Sequence, residues 1–166
     1  GLGQDAIEIH DHKEFVKRAR GIMSKYPNRV EVPGDLGYDD GRGRVDRPVD
    51  SSPAGEPALD IGTRTVEKYS KIVEGAATVV ANGPMGVFEK NGFDLGTKSI
   101  LESMAKSNAY TVIGGGHLVG LASVHGIEDS FSHVSTAGGA MLSLLAGQNL
   151  PAVEALVRAA KRARSQ

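Results

Sequence analysis

Short apolar runs that end at glycine recur along the second half of the chain. Apolar and β-branched residues fill most of positions 78–81, 110–113 and 131–134. Each run stops at a glycine-rich break, and the breaks read Asn82-Gly83-Pro84, Gly114-Gly115-Gly116 and Ala137-Gly138-Gly139. A short apolar run bounded by turn residues is typical of a buried strand. Helical patterns follow the breaks, at about residues 97–106, 117–125 and 138–146. The pattern therefore predicts three strand–turn–helix units in series, with Met85 and Phe88 in the core.

The first part of the chain carries a weaker pattern. Apolar residues at three- and four-residue spacing predict a helix over about residues 10–26, with Asp11 as its N-cap. Alternation over residues 29–32 predicts a short strand that Pro33 ends.

Two further helices are predicted on either side of the strand–turn–helix units. One covers about residues 64–74, with Thr63 as its cap and Gly75 at its end. The other begins at Pro151, a residue favoured in the first turn, and ends in a basic run at residues 161–164. That run complements the negative end of the helix, and its shortness makes a nucleic-acid tail the less favoured interpretation.

Residues 34–57 are predicted to form an irregular loop. Five aspartates and several arginines alternate there with glycine and proline. Such a loop is an alternative site for a divalent cation, but the spacing lacks the regular ladder of a calcium loop and the arginines compete for the carboxylates. A solvated surface hairpin and linker is the favoured interpretation.

The predicted strands are separated by about 30 and about 20 residues, which leaves room for crossover helices and parallel pairing. We therefore predict an α/β fold with a doubly wound, mostly parallel sheet. Such folds bind ligands at the carboxyl edge of the sheet. Glycine-rich turns that open helices present bare N–H groups there, and those groups suit an anion, most often a phosphate.

Composition narrows the class of protein. The 166 residues fit one domain, and the net charge of -1 indicates neither a nucleic-acid nor a membrane partner. The absence of cysteine excludes disulfides, thiolate catalysis and cysteine-ligated metals. No apolar run approaches the ~20 residues of a membrane span, so a cytoplasmic protein is expected.

Five strings occur in an order that resembles a known family. They are Leu59-Asp60-Ile61-Gly62, Asn82-Gly83-Pro84-Met85-Gly86-Val87-Phe88-Glu89, Phe93 with Gly96-Thr97, Ile113-Gly114-Gly115-Gly116, and Ser132-His133-Val134-Ser135-Thr136-Ala137-Gly138-Gly139-Ala140. Together they resemble the carboxyl-terminal half of phosphoglycerate kinase, which transfers a phosphoryl group between 1,3-bisphosphoglycerate and ADP. The resemblance is close over about residues 58–160 and looser before them. It implies that residues 1–166 are part of a Rossmann-like, nucleotide-binding domain that is incomplete at its N-terminal side.

The resemblance implies a role for each matching residue. Asn82 and Pro84 are expected to lie against the nucleotide of Mg-ADP or Mg-ATP, and Glu89 to bind the ribose hydroxyls. The phosphates are assigned to the triple-glycine turn and the helix after it, which comprise Gly114, Gly115, Gly116 and His117. The transferred phosphoryl group is assigned to Thr136, Gly138 and Gly139.

Three departures from the family pattern qualify those roles. His117 and Leu118 stand where the family usually has a metal-facing aspartate and then threonine, and Ala137 stands where glycine is usual. Magnesium prefers oxygen donors, so the metal ligands are left unassigned, and His117 is expected to donate to a phosphate instead. Histidine at this position resembles the archaeal members of the family.

The family's amino-terminal domain and its glycine-lysine phosphate loop have no counterpart in this chain. The chain alone is therefore expected to be inactive, to need a complementary chain or upstream stretch, and to self-associate through an exposed sheet edge. Two alternatives remain open: a non-catalytic nucleotide-binding module, and a structural fragment that binds nothing. Without the resemblance, Asn82-Gly83-Pro84 is only a tight turn, Glu89 a surface carboxylate and His117 a histidine at a helix N-terminus.

Overall fold

The computed structural model describes residues 12–51 and 56–164. These residues form two compact units. The first comprises the described residues up to Ala76 together with Pro84–Asn108, and the second comprises Ala77–Gly83 together with the described residues from Ala109 onward.

The first unit is built on an antiparallel sheet. Its strands are β1 (Asp35–Asp39), β2 (Arg44–Pro48) and β3 (Asp60–Ile61), and its helices are α1 (His12–Lys25), α2 (Thr63–Glu74) and α3 (Leu95–Lys106). A 3-10 turn follows β2 at Val49–Ser51. The sheet order is β2-β1-β3, with Gly37 opposite both Asp46 and Asp60. The core of this unit includes Phe93, Leu101 and Met104, which are fully buried.

The favoured interpretation of residues 34–57 correctly includes a hairpin, but the prediction that the stretch is irregular and solvated is wrong for most of its length. It forms the β1–β2 hairpin, and β1 is the central strand of the sheet, with Tyr38 only 2% exposed. The tip of the hairpin is a turn in which Gly41 and Gly43 adopt positive φ. Among the described residues no group of three or more His, Asp or Glu side chains is placed to hold a metal ion. Asp35, Asp39, Asp40 and Asp46 instead accept hydrogen bonds from the protein's own donors.

Asp35 illustrates this use of an acidic residue. It is buried on β1, and its two carboxylate oxygens accept the backbone N–H groups of Arg64 (3.1 Å) and Thr65 (2.8 Å) at the start of α2. Burial raises the pKa of Asp35, but the hydrogen bonds from Thr65 and Arg64 outweigh it and lower that pKa below its ordinary value. The prediction that Thr63 caps α2 is therefore wrong. Thr63 donates its N–H and hydroxyl groups to Asp46, and Asp35, from a neighbouring strand, occupies the capping position.

Two other predictions in the first unit need correction. Residues 29–32 are not a strand, because no neighbouring strand pairs with them in the described sheet and Asn28 adopts a left-handed turn before them. Met85 is 37% exposed rather than buried. The first helix begins at His12 in the described residues, and its predicted cap, Asp11, lies outside them.

The second unit is built on a parallel sheet. Its strands are β4 (Thr78–Asn82), β5 (Tyr110–Gly114) and β6 (His133–Ser135), in the order β4-β5-β6. Its helices are α4 (Gly116–Val124), α5 (Gly138–Leu145) and α6 (Pro151–Arg164). A 3-10 turn at Glu128–Ser130 leads into β6. Ile113, Leu118, Ala122 and Phe131 are buried. These parallel strands, each followed by a helix, confirm the predicted α/β class.

Two strand predictions in this unit are modified. The predicted buried strand at 78–81 is β4, an edge strand on which Val80 is 44% exposed. The third strand begins at His133 rather than at residue 131. Just before it, the N–H of Ser132 donates to the Thr111 hydroxyl and the N–H of Thr111 donates to the Ser132 hydroxyl, both at 3.1 Å. These two bonds replace the backbone-to-backbone hydrogen bonds of the sheet at that point.

Candidate functional site

The three parallel strands of the second unit end at one level. Asn82 at the end of β4 is in register with Gly114 at the end of β5, and Gly114 is in register with Ser135 at the end of β6. The turns that follow β5 and β6 therefore leave from the same edge of the sheet. This arrangement is what the repeated strand–turn–helix pattern predicts.

Helices α4 and α5 begin at this edge. The carbonyl of Gly115 accepts the N–H of Val119 at 3.1 Å, and the carbonyl of Ala137 accepts the N–H of Met141 at 2.9 Å. The N–H groups that precede these first bonds have no partner within their own helix. In α4 they belong to Gly116, His117 and Leu118, and in α5 to Gly138, Gly139 and Ala140.

The turn before α4 is locked to the turn before α5. Gly115 adopts φ +92°, a conformation suited to glycine, and its N–H donates to the Ser135 carbonyl at 3.0 Å. The Ser135 hydroxyl in turn accepts the N–H of Ala137 at 3.3 Å. The two helix starts are thus linked by hydrogen bonds through β6.

Glycine at position 138 allows these backbones to meet. A Cβ atom placed on Gly138 would lie 2.5 Å from Oδ1 of Asn82 and 2.8 Å from Cα of Gly115. Gly114 is less restricted, because a Cβ there would meet only the flexible end of the Met141 side chain and the Asn82 side chain. Gly138 therefore allows the close backbone approach, and Asn82 lies beside it.

A cleft of about 320 Å³ opens where the turns converge. It is lined by Asn82, Gly83, Gly115, Gly116, His117, Leu118, Thr136, Gly138 and Gly139. The lining combines the N-terminal turns of two helices with one amide, one hydroxyl and one imidazole side chain, and it includes no carboxylate. Two helix N-termini, with the N–H groups of their first turns, favour a bound anion.

The cleft brings together seven of the predicted site residues. They are Asn82, Gly115, Gly116, His117, Thr136, Gly138 and Gly139. Gly114 lies just behind the cleft, buried at the end of β5. Pro84 and Glu89 are exposed and belong to the first unit, so their nucleotide contacts stay predictions. Gly83 and Leu118 also line the cleft and were not predicted. Gly83 was detectable as the positive-φ residue of the Asn-Gly-Pro turn, whereas nothing in the sequence marks Leu118.

The donor set of the cleft does not match a protein-held magnesium ion. Magnesium in phosphate-transfer sites is usually held by one or two carboxylates together with phosphate oxygens. The cleft offers only the Asn82 amide oxygen, the Thr136 hydroxyl and backbone oxygens as hard ligands. A magnesium ion at this cleft would therefore depend on oxygens that a ligand brings with it.

A larger recess, of about 460 Å³, lies between the end of α5 and α6. Leu144, Leu150, Val153 and Val157 give it a mainly apolar lining, and no helix N-terminal turn other than that of α6 contributes to it. It lacks the convergent donors of the cleft, so the cleft is the better candidate site. No helix among the described residues has the length and apolar character needed to cross a bilayer.

A parallel α/β unit whose sheet edge carries two opposed helix N-termini is a fold of the phosphate-binding class. Comparison with known proteins identifies the family. The family model for phosphoglycerate kinase matches residues 2–148, and the chain belongs to the phosphoglycerate kinase family.

Individual relatives support this family assignment. The chain is 44% identical over 151 residues to a phosphoglycerate kinase from Methanopyrus kandleri, covering 91% of this chain and 37% of that protein. It is 43% identical over 160 residues to one from Solibacter usitatus, covering 95% and 40%. The crystal structure of phosphoglycerate kinase from Pyrococcus horikoshii superposes with a TM-score of 0.81 at 38% identity, covering 94% and 40%. The chain thus spans about two-fifths of the length of the relatives it matches.

Proposed function

We propose that this chain supplies the nucleotide-binding part of a phosphoglycerate kinase, which transfers a phosphoryl group between 1,3-bisphosphoglycerate and ADP. The observation that carries the proposal is the cleft at the carboxyl edge of the parallel sheet, where the N-terminal turns of α4 and α5 converge beside Asn82. Membership of the family supports the proposed phosphoryl-transfer reaction, and the hydrogen-bond donors of the cleft support the proposed binding of a phosphate.

The proposed roles follow the chemistry of the lining. Phosphoryl transfer depends on positioning and charge stabilisation rather than on a nucleophilic side chain. The backbone N–H groups of Gly116 and His117 would bind the nucleotide phosphates, and Gly114 and Gly115 would shape the turn that presents them. Those of Gly138 and Gly139, with the Thr136 hydroxyl, would lie beside the transferred group.

The remaining nucleotide contacts are assigned to the residues around the Asn-Gly-Pro turn. Asn82 and Pro84 would contact the nucleotide, and Glu89 would bind the ribose hydroxyls. Mg-ADP and Mg-ATP are the proposed ligands, with magnesium coordinated by the phosphates, since the cleft provides no carboxylate.

We further propose that the chain needs a partner for turnover. It spans about 37% of the relative from Methanopyrus kandleri, and the binding site for the phosphoglycerate is assigned to the remaining polypeptide. The isolated chain is expected to show no kinase activity above background. Addition of the complementary amino-terminal part of a phosphoglycerate kinase is expected to restore it. Activity of the chain alone would contradict this division of roles.

Calorimetric titration with ADP, with and without magnesium, tests the nucleotide proposal directly. Asn82→Ala is expected to weaken ADP binding by about tenfold or more, because it removes a polar contact to a charged ligand, worth roughly 1.5–3 kcal/mol. Asn149→Ala is the matched control, since Asn149 is an exposed asparagine of the same unit that lies outside the cleft. Glu89→Ala tests the ribose contact separately.

The outcomes separate the competing functions. ADP binding that Asn82→Ala weakens and Asn149→Ala does not, together with restored turnover, supports the kinase role. Binding without turnover after complementation favours a non-catalytic nucleotide-binding module. No binding by the parent chain, while it unfolds cooperatively, contradicts the nucleotide role.

A further inference from the structure

His117 is the one titratable side chain among the nine residues that line the cleft. The other eight are glycines, Asn82, Leu118 and Thr136, none of which changes charge near neutral pH. His117 lies in the first turn of α4 and is exposed at the cleft. Histidine is the side chain that ordinarily gains or loses a proton between pH 5 and 8.

Among the described residues, β5 and the 3-10 turn after α4 are the elements that pack most closely on α4, and neither brings another charge to the cleft. The neighbouring strand β6 carries a second histidine, His133, which lies two residues before Ser135 and outside the cleft lining. Tyr110 is the titratable residue of β5, and it lies at the opposite end of that strand from Gly114, about 13 Å away at strand rise. Glu128 and Asp129 belong to the 3-10 turn that follows α4. The N–H of Ile127 donates to the carbonyl of Ala122, so this turn is anchored at the far end of the helix.

An anion in this cleft would therefore meet partial positive charges only, unless His117 is protonated. The N-terminal turns of α4 and α5 contribute about half a charge each at most. Kinase sites commonly add a metal ion held by a carboxylate, and this cleft has no carboxylate to hold one. An imidazolium at position 117 is the only full positive charge that the lining can provide.

We infer that His117 binds a nucleotide phosphate as an imidazolium and so couples nucleotide binding to the uptake of one proton. This inference rests on the proposed function. Its consequence is that ADP free of metal binds this chain more tightly at pH 6 than at pH 8, relative to the same cleft without the imidazole.

The test is a series of ADP titrations in EDTA between pH 5.5 and 8, on the parent chain and on His117→Gln. Glutamine keeps a hydrogen-bond donor at the site and removes the ionisation. The readout is the ADP affinity of the parent chain divided by that of His117→Gln. This ratio cancels the protonation of ADP itself, which affects both proteins equally. We expect the ratio to rise to about tenfold or more at pH 6, the size of one charge-assisted hydrogen bond, and to fall toward one at pH 8. His125→Gln, at the opposite end of α4, is the matched control and should follow the parent.

A second measurement needs no variant. The ring protons of His117 are followed by NMR against pH, with and without saturating ADP. The midpoint of their titration should move to higher pH when ADP is bound, because proton and ligand binding are reciprocal. The titration midpoints of His125 and His133 should be the same with and without ADP. A histidine with a purely structural role would give no such shift.

The two proposals fail in different ways. If His117→Gln lowers ADP affinity equally at every pH, or not at all, and the His117 midpoint is unchanged by ADP, the inference is wrong and the nucleotide site stands. If the parent chain binds no ADP at any pH, the nucleotide site itself is wrong, and the inference falls with it.

Discussion

Single glycines decide how closely the backbones approach at the cleft. Gly138 allows the start of α5 to lie against Gly115 and Asn82, and Gly114 leaves room for Met141. Neither residue has a positive φ, so ordinary backbone preference does not require glycine at these two positions. The requirement is steric, and it arises from neighbours that are distant in the sequence.

Gly138→Ala is expected to disrupt the cleft and to lower the free energy of unfolding by about 1–3 kcal/mol, as overpacking does. The added methyl group would meet the Gly115 backbone, which cannot move aside as a flexible side chain can. Gly120→Ala is the control. It lies in α4 with nothing within 4 Å of the new Cβ, and alanine there should stabilise the helix by roughly 0.5–1 kcal/mol. Urea unfolding of the parent chain and both variants measures the differences in stability. A Gly138→Ala variant as stable as the parent chain would show that Gly138 is not sterically restricted.

At the scale of elements, a buried ion pair ties the first unit together. Asp60 on β3 is fully buried and accepts hydrogen bonds from Arg44 of β2 at 2.7 Å and from the N–H of Gly96 in α3 at 2.8 Å. Arg44 also donates to the carbonyls of Ile61 and Gly92. One carboxylate therefore connects two strands and a helix that are far apart in sequence.

Asp60→Ala should lower the free energy of unfolding of the chain by about 1–3 kcal/mol, because it removes the buried acceptor of Arg44 and of the Gly96 N–H and leaves Arg44 with Asp46 as its remaining charge partner. Glu56→Ala provides the comparison. Glu56 also pairs with an arginine, Arg47 at 3.0 Å, but the two side chains are 49% and 32% exposed, and such solvated pairs contribute about 0–1 kcal/mol. Thermal or urea unfolding distinguishes the two variants. A loss for Asp60→Ala no larger than that for Glu56→Ala would mean that Asp46 alone compensates the charge of Arg44.

At the scale of the whole molecule, the edge of the parallel sheet is the feature that bears on assembly. β4 pairs only with β5 among the described strands, and Thr78–Asn82 contains no charged residue or proline. Proteins usually protect an edge strand with such residues, because an uncharged edge can pair with another chain. This edge is where we propose that the chain meets a second copy or the complementary polypeptide.

Self-association through β4 is expected to increase with concentration and to decrease in Val80→Lys, since a lysine on an edge strand opposes pairing. Val124→Lys adds the same charge to the same unit at a residue that is 82% exposed and outside the sheet, and it should behave like the parent. Analytical ultracentrifugation over a range of concentrations gives the comparison. A chain that is monomeric throughout, or equal effects of the two lysines, would rule out the β4 edge as the contact.

Local pattern predicted the elements that depend on neighbouring residues. The three strand–turn–helix units, the end of α2 at Gly75 and the start of the last helix at Pro151 were all predicted from periodicity and turn chemistry. Because parallel strands point the same way, the same pattern also predicted that Asn82, the triple glycine and the Ser-Thr turn share one edge of the sheet. Those features are encoded within a few residues of where they act.

Only the tertiary structure decided the features that depend on distant partners. The hairpin at residues 35–48 looks irregular in sequence, and its strand β1 becomes the centre of a sheet. Asp35 and Asp46 of the hairpin find donors at the start of α2, and its Arg44 donates to Asp60 of β3. Asp35 replaces Thr63 as the cap of α2, and β4 is an exposed edge because no described strand pairs with its other side. The sequence by itself determined which residues line the turns. Long-range contacts, which no local window contains, determined how closely those turns meet.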